Sequence, residues 1–217
     1  RYLGADGVRR CKHIFTDNSA EFKSAIRSVC YIHDTSTPHR PQTNCVAERA
    51  QRRVKEGTSC ALLQSGFNED WWPEAMRCYC HLRNVVDKLE DGETAWKKRF
   101  GVDFKGPTLP FGCAITYLPI TADDKKRAAK YGGKPLPGLF IGYHLYAGGG
   151  WGSRDLYIVD LEQLANADSS SRVHVRRFKA DEIWPDLNAN GKFKCPLKHG
   201  AAPVSYTHLR AHETSAD

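Results

Sequence analysis

The chain has 217 residues, with 32 Lys or Arg against 25 Asp or Glu, a formal charge of +7 and a pI near 9.0. That length allows one domain or two small ones, and the modest basicity suits an acidic partner, nucleic acid first. No apolar run approaches the ~20 residues of a membrane span and no signal peptide opens the sequence, so no membrane partner is expected.

Residues 11–16 are rich in β-formers and read as a strand. Asp17 follows at its C-terminal end, punctuated by Asn18-Ser19. Residues 20–30 read as a helix, with Phe22, Ala25, Ile26 and Val29 at three- and four-residue steps. Residues 31–35 form another short strand. Residues 39–43 carry one proline and no apolar side chain, which predicts a mobile loop after Pro38. Asn44 is a good cap for a helix over residues 45–65. At roughly 100° per residue, Val46, Ala50, Val54, Gly57 and Ala61 fall on one face, and Glu48, Arg52, Lys55 and Ser59 on the opposite one. A carboxylate followed by cations at plus four and plus seven suits a site that binds metal and holds a phosphate backbone beside it. The same pattern also describes an ordinary solvated face with a Glu–Arg pair one turn apart.

Residues 67–86 carry Trp71, Trp72, Ala75, Met76, Tyr79 and Leu82 and read as a packing helix rather than an aromatic platform for bases. Gly106-Pro107 looks like a boundary. Beyond it, residues 111–118, 139–143, 156–160 and 172–178 read as short strands separated by Gly and Pro, which predicts a small β-barrel. The Gly148–Gly152 stretch has no Lys-Ser/Thr after it and reads as a hairpin turn rather than a phosphate loop. The 8 cysteines form no C-x-x-C pair, so neither a zinc finger nor a disulfide framework is indicated, and all are expected to be reduced intracellular thiols. Residues 186–202 are linker-like. Residues 203–217 resemble a translated sequencing adapter and are expected to be a disordered, artificial tail.

The two segments around Asp17 and Glu48 carry a resemblance. Thr16-Asp17-Asn18-Ser19-Ala20-Glu21-Phe22 is similar to the T-D-N-G-x-E-F motif of copia-type retrotransposon integrases. Pro38, Pro41, Gln42, Asn44, Val46, Ala47, Glu48 and Arg49 match the P-x-x-P-Q-x-N-G-V-A-E-R run that follows in the same family. The segments F-G-C at 111–113 and K-P-L-P-G-L-F-I-G-Y at 134–143 resemble the SH3-like barrel that follows that core. Ser19 and Cys45 stand where the family has glycine, and the interval between the two carboxylates is shorter than usual by roughly one helical turn.

The resemblance implies an α/β fold, the C-terminal part of an RNase H-like integrase core over 1–105, followed by a small all-β SH3-like barrel over 106–185. It implies that Asp17 and Glu48 are catalytic and bind Mg2+ or Mn2+, and that Arg40, Gln42, Asn44, Arg52 and Lys55 contact DNA. Carboxylates are the natural ligands of such hard cations, and two-metal sites of this kind perform phosphoryl transfer. The intact parent would process element DNA ends and join them to host DNA, as a homo-oligomer, in the nucleus. The family's first aspartate, well upstream of the second, has no counterpart here: the sole acidic residue before Asp17 is Asp6, too close to lie on a separate central strand. The chain therefore reads as a piece that begins partway through the catalytic domain and is inactive in strand transfer alone. Two alternatives stay open: an inactive DNA-binding remnant of a decayed element, and a protein-interaction module that uses the barrel.

Overall fold

The computed structural model describes residues 13–29, 31–37, 45–128, 135–167 and 169–199. The chain divides into two compact units, Arg1–Glu56 with Leu145–Gly150, and Gly57–His144 with Trp151–Asp217.

The first unit is built on a β-α-β element. Strand β1 (Ile14–Thr16) pairs in parallel with β2 (His33–Thr35), Ile14 opposite His33 and Thr16 opposite Thr35. Helix α1 (Ala20–Ser28) connects them. Its start is set by Ser19, whose side chain accepts from the Phe22 backbone N–H at 3.4 Å and so satisfies one of the helix's open donors. Parallel sheets are normally covered on both faces. Here Ile26 is the only buried apolar side chain among the described residues of the unit, while Phe15, Phe22, Val29, Ile32 and Val46 are exposed. The three-to-four spacing of α1 is real, but most of its apolar stripe faces solvent.

Helix α2 (Cys45–Ser65) contributes to both units. In the second, a 3₁₀ turn (Glu69–Trp71) leads into α3 (Trp72–Val86). The sequence places the helix start after Asn68-Glu69-Asp70, and the α-helix begins at Trp72, with Pro73 in the first turn, where its missing amide donor costs nothing. Ala75, Cys78, His81 and Val85 form the buried stripe of α3, which packs on the sheet, with the His81 ring 4.2 Å from that of Tyr143. Helix α4 (Ala95–Phe100) is capped by Thr94 and closed by left-handed Gly101.

The sheet has five antiparallel strands, β3 (Ala114–Tyr117), β4 (Leu136–Tyr143), β5 (Asp155–Asp160), β6 (Arg176–Lys179) and β7 (Ile183–Pro185), in the order β6-β5-β4-β3-β7. Its core is Ile115, Tyr117, Leu139, Phe140, Ile141, Leu156, Ile158 and Val159. Strands β6 and β7 are opposite edges, yet only the 3₁₀ turn Ala180–Glu182 separates them. Flat, the edges of five strands would lie about 19 Å apart, and a 3₁₀ turn rising about 2 Å per residue cannot span that. The sheet is therefore rolled, its two edges drawn together. Two short helices, α5 (Ala122–Arg127) and α6 (Leu161–Asn166), flank it.

The last predicted strand, 172–178, is in fact a 3₁₀ turn (Ser170–Arg172) followed by β6. Helices α3 and α4, which the reading from sequence assigns to residues 1–105, lie in the same compact unit as the sheet.

Gly57 sets the approach of α3 to α2. A Cβ there would lie 2.0 Å from a Tyr79 ring carbon. Alanine normally stabilises a helix interior relative to glycine by about 0.5–1 kcal/mol, but here it must displace the ring, and such overpacking costs about 1–3 kcal/mol. Gly57→Ala is therefore expected to lower the melting temperature. A rise on thermal unfolding would show that Tyr79 moves freely.

Candidate metal and nucleic-acid site

Asp17 leaves the C-terminal end of β1 and is exposed. Its Oδ1 accepts from the Ser19 amide at 3.4 Å, a short turn that leads the chain into α1. The Thr16 hydroxyl donates to the Asp17 carbonyl oxygen at 2.8 Å, and His33 Nε2 lies 2.8 Å from the same hydroxyl oxygen. On the other side of the strand pair, His13 Nε2 meets Asp34 Oδ2 at 2.8 Å.

Glu48 stands in the first turn of α2, also exposed. Among the described residues it has no hydrogen bond or ion pair, and Arg49, Arg52, Arg53 and Lys55 likewise have none. The i,i+4 pair between Glu48 and Arg52 that would mark a merely solvated face is thus not formed. Arg40, Gln42 and Asn44 lie outside the described residues, as does Asp6.

The helix face differs from the sequence reading. Val46 is 77% exposed and Ala50 is exposed too. The covered positions are Val54, Gly57, Thr58, Ala61, Leu62 and Ser65, with Thr58 and Ser65 buried. Taken at 100° per residue, this face is rotated by roughly 50° from the predicted one. The cause is that Thr58 and Ser65 are hydroxyl residues, which an apolar pattern passes over. Ser65 can be buried because its Oγ donates back to the Leu62 carbonyl at 2.9 Å. Glu48 and Lys55 therefore lie toward one flank of the exposed face, while Arg49 and Arg52 lie nearer its centre.

Among the described residues no group of three or more His, Cys, Asp or Glu is placed to hold a metal ion. Asp17 and Glu48 are exposed carboxylates without cationic partners among the described residues, a donor chemistry that suits a hard divalent cation. The described cysteines, Cys45, Cys60, Cys78, Cys80, Cys113 and Cys195, are free thiols. Burial raises the pKa of Cys78 and pushes that of Cys113 up to about 12, which suits packing rather than thiolate chemistry.

A polar network in the second unit was not legible in the sequence. Tyr117 donates to Asp160, and Arg127 reaches both oxygens of that carboxylate at 3.1 and 3.3 Å. Arg176 donates to Tyr117 at 3.0 Å and to Asp124 at 2.7 Å. Its members lie on β3, α5, β5 and β6, too far apart in sequence for any spacing rule to link them. It ties α5 and α6 to the sheet and opens on a polar cavity of about 360 Å³.

No protein-family model matches the chain. It is 30% identical over 145 residues to "Retrovirus-related Pol polyprotein from transposon TNT 1-94" of Nicotiana tabacum, covering 62% of this chain and 10% of that polyprotein. It is 28% identical over 141 residues to "Retrovirus-related Pol polyprotein from transposon RE1" of Arabidopsis thaliana, covering 60% of this chain and 9% of that one. The chain thus spans about a tenth of the length of these relatives. Among solved structures, a chain of the simian T-cell lymphotropic virus intasome in complex with PP2A regulatory subunit B56 gamma is similar over 84% of this chain and 60% of that one. Identity there is 16% and the TM-score 0.36, too low to carry an argument about the fold. No helix among the described residues is long and apolar enough to cross a membrane.

Proposed function

We propose, on the premise that this chain belongs with the retroelement integrases related to plant retrotransposon Pol polyproteins, that it is a DNA-contacting part of a copia-type integrase. The observation that carries this reading is the occurrence of two exposed carboxylates without cationic partners among the described residues, each at the end of a regular element, with a helix whose cations form no ion pair there. In this reading Asp17 and Glu48 hold Mg2+ or Mn2+ together with a further ligand. Divalent cations bound there would supply activation of the attacking oxygen and stabilisation of the leaving oxygen in phosphoryl transfer. Arg49, Arg52 and Lys55 hold the phosphate backbone that runs past Glu48, and Arg40, Gln42 and Asn44 add contacts from the preceding loop. The whole parent would work in the nucleus as an oligomer on element and host DNA. The rolled five-stranded sheet is read as an SH3-like barrel; the support is the meander β3-β4-β5-β6 and the return of β7 to β3 through one 3₁₀ turn.

Binding of this kind is sequence-independent and falls with salt. Arg52→Ala and Lys55→Ala are each expected to weaken binding on all duplexes alike and to reduce the salt slope by about one. A titration at several salt concentrations checks this, and unchanged slopes in both variants would overturn the assignment of α2 to DNA.

A second reading, the barrel as a protein-interaction module, is favoured by one feature. An open groove of about 640 Å³ is lined by Ile115, Pro137, Leu161, Phe193, Cys195 and Pro196, among others. Partner binding that survives high salt and is lost on Phe193→Asp would favour it.

A further inference from the structure

We propose that His33 is a positioning residue for Asp17, acting through the Thr16 hydroxyl. The inference rests on the reading of Asp17 as a metal ligand. The parallel register sets Ile14 opposite His33, and Ile14 N–H to Ile32 O and Ser36 N–H to Thr16 O, both 2.9 Å, hold that register. Side chains two apart on a strand share a face, so Thr16 and His33 lie diagonally on the same side of the pair. The Thr16 hydroxyl has one proton, and it is committed to the Asp17 carbonyl oxygen at 2.8 Å. The hydroxyl oxygen is therefore an acceptor toward His33, and Nε2 is the donor at 2.8 Å. The result is a directed chain, from His33 N–H to Thr16 O–H to Asp17 C=O.

That chain fixes the Asp17 peptide plane where β1 has already ended and no strand bond remains to do so. Among the described residues the Asp17 carboxylate has only the long 3.4 Å bond from Ser19 to orient it, so the backbone it hangs from decides where its oxygens point. Without His33 the Thr16 hydroxyl loses its second partner and rotates, and the plane behind the carboxylate loosens. The imidazole donates from Nε2 whether neutral in that tautomer or protonated, so the device needs no charge. The sequence offered no sign of it, because His33 reads as one residue of a short strand.

The test measures Mn2+ affinity of the full chain by the loss of the free-ion electron paramagnetic signal, with circular dichroism to show that each variant keeps its fold. Asp17→Asn should abolish binding. His33→Ala and Thr16→Val should each weaken it by about threefold to tenfold, below the range for partners that contact a ligand directly. The double variant should be no worse than either single one. His33→Gln, whose amide N–H sits near the place of Nε2, should restore affinity to within about twofold of wild type, which a purely steric role would not do. If Asp17→Asn abolishes binding while His33→Ala leaves it unchanged, or if the two single losses add in the double variant, the positioning role is overturned and the metal-ligand reading stands. If Asp17→Asn leaves Mn2+ binding intact, the metal-ligand reading itself fails.

Discussion

Replacing Asp160 with alanine is expected to destabilise the second unit by about 3–5 kcal/mol, the range for breaking one side of a buried ionic cluster. The carboxylate is fully buried. It accepts from Tyr117, from both Arg127 nitrogens and from the Gln163 amide that starts α6. Alanine would leave the buried Tyr117 hydroxyl without its acceptor, leave the Arg127 guanidinium only Glu162 and Asp124 as partners, and remove the cap of α6. Burial alone would raise the pKa of this carboxyl; the bonds from Tyr117, Gln163 and Arg127 outweigh it and hold the group below the usual range. Its contribution is thus complete above the unfolded carboxyl pKa, near 4, and is lost as pH falls through the folded one. Asp123→Ala is the control, since its side chain is 89% exposed and pairs with Lys126 only at 3.4 Å; exposed pairs of that kind contribute about 0–1 kcal/mol. Urea unfolding of both variants checks the contrast. A loss below about 1 kcal/mol for Asp160→Ala would show that the network is solvated in solution.

His81 should make the same unit sensitive to mild acid. The ring is 3% exposed and its Nε2 has no hydrogen-bond partner among the described residues. The rings of Trp96, Phe104 and Tyr143 surround it at 5.6, 5.1 and 4.2 Å. Burial lowers its pKa to about 4, against about 6.5 in an unfolded chain. Between those values the unfolded chain carries the proton and the folded one refuses it, so stability falls as pH drops through that window. The loss between pH 7 and pH 5 is expected to be about 2 kcal/mol. His81→Phe keeps a ring among rings and cannot take a proton, so it should flatten the curve over that range. Urea midpoints at the two pH values decide it: a wild type as stable at pH 5 as at pH 7, or a variant with the same loss, would contradict the assignment. Below about pH 4 the paired carboxylates take over as the source of acid sensitivity.

Much of the first unit was legible because its elements are marked locally. Ser19 caps α1, the Asp17–Asn18 pair ends β1, and α2 runs over the predicted span. The packed side of α2 was misread because Thr58 and Ser65 are polar in composition yet buried, Ser65 with its hydroxyl donating to the Leu62 carbonyl. Helices α5 and α6 were missed because each is six residues long, less than two turns, and shows no periodicity. Their caps were readable: Thr121 accepts from the Asp124 amide at 3.1 Å, and Asp160 from the Gln163 amide at 2.8 Å. Strand β7 is three residues with two of them exposed, too short for alternation to register. The motifs single out Asp17 and Glu48 as candidates, whereas the link from His33 to Thr16 depends on strand register, which the motifs do not encode.

The central proposal is that Asp17 and Glu48 belong to one divalent-metal site. The direct measurement is Mn2+ titrated into the isotope-labelled full chain, followed by paramagnetic broadening of backbone amides. If the claim holds, the amides of Asn18 and Ala47 broaden together with a single midpoint, and either Asp17→Asn or Glu48→Gln removes the broadening at both positions. Separate midpoints, or broadening at Ala47 that survives Asp17→Asn, would contradict it.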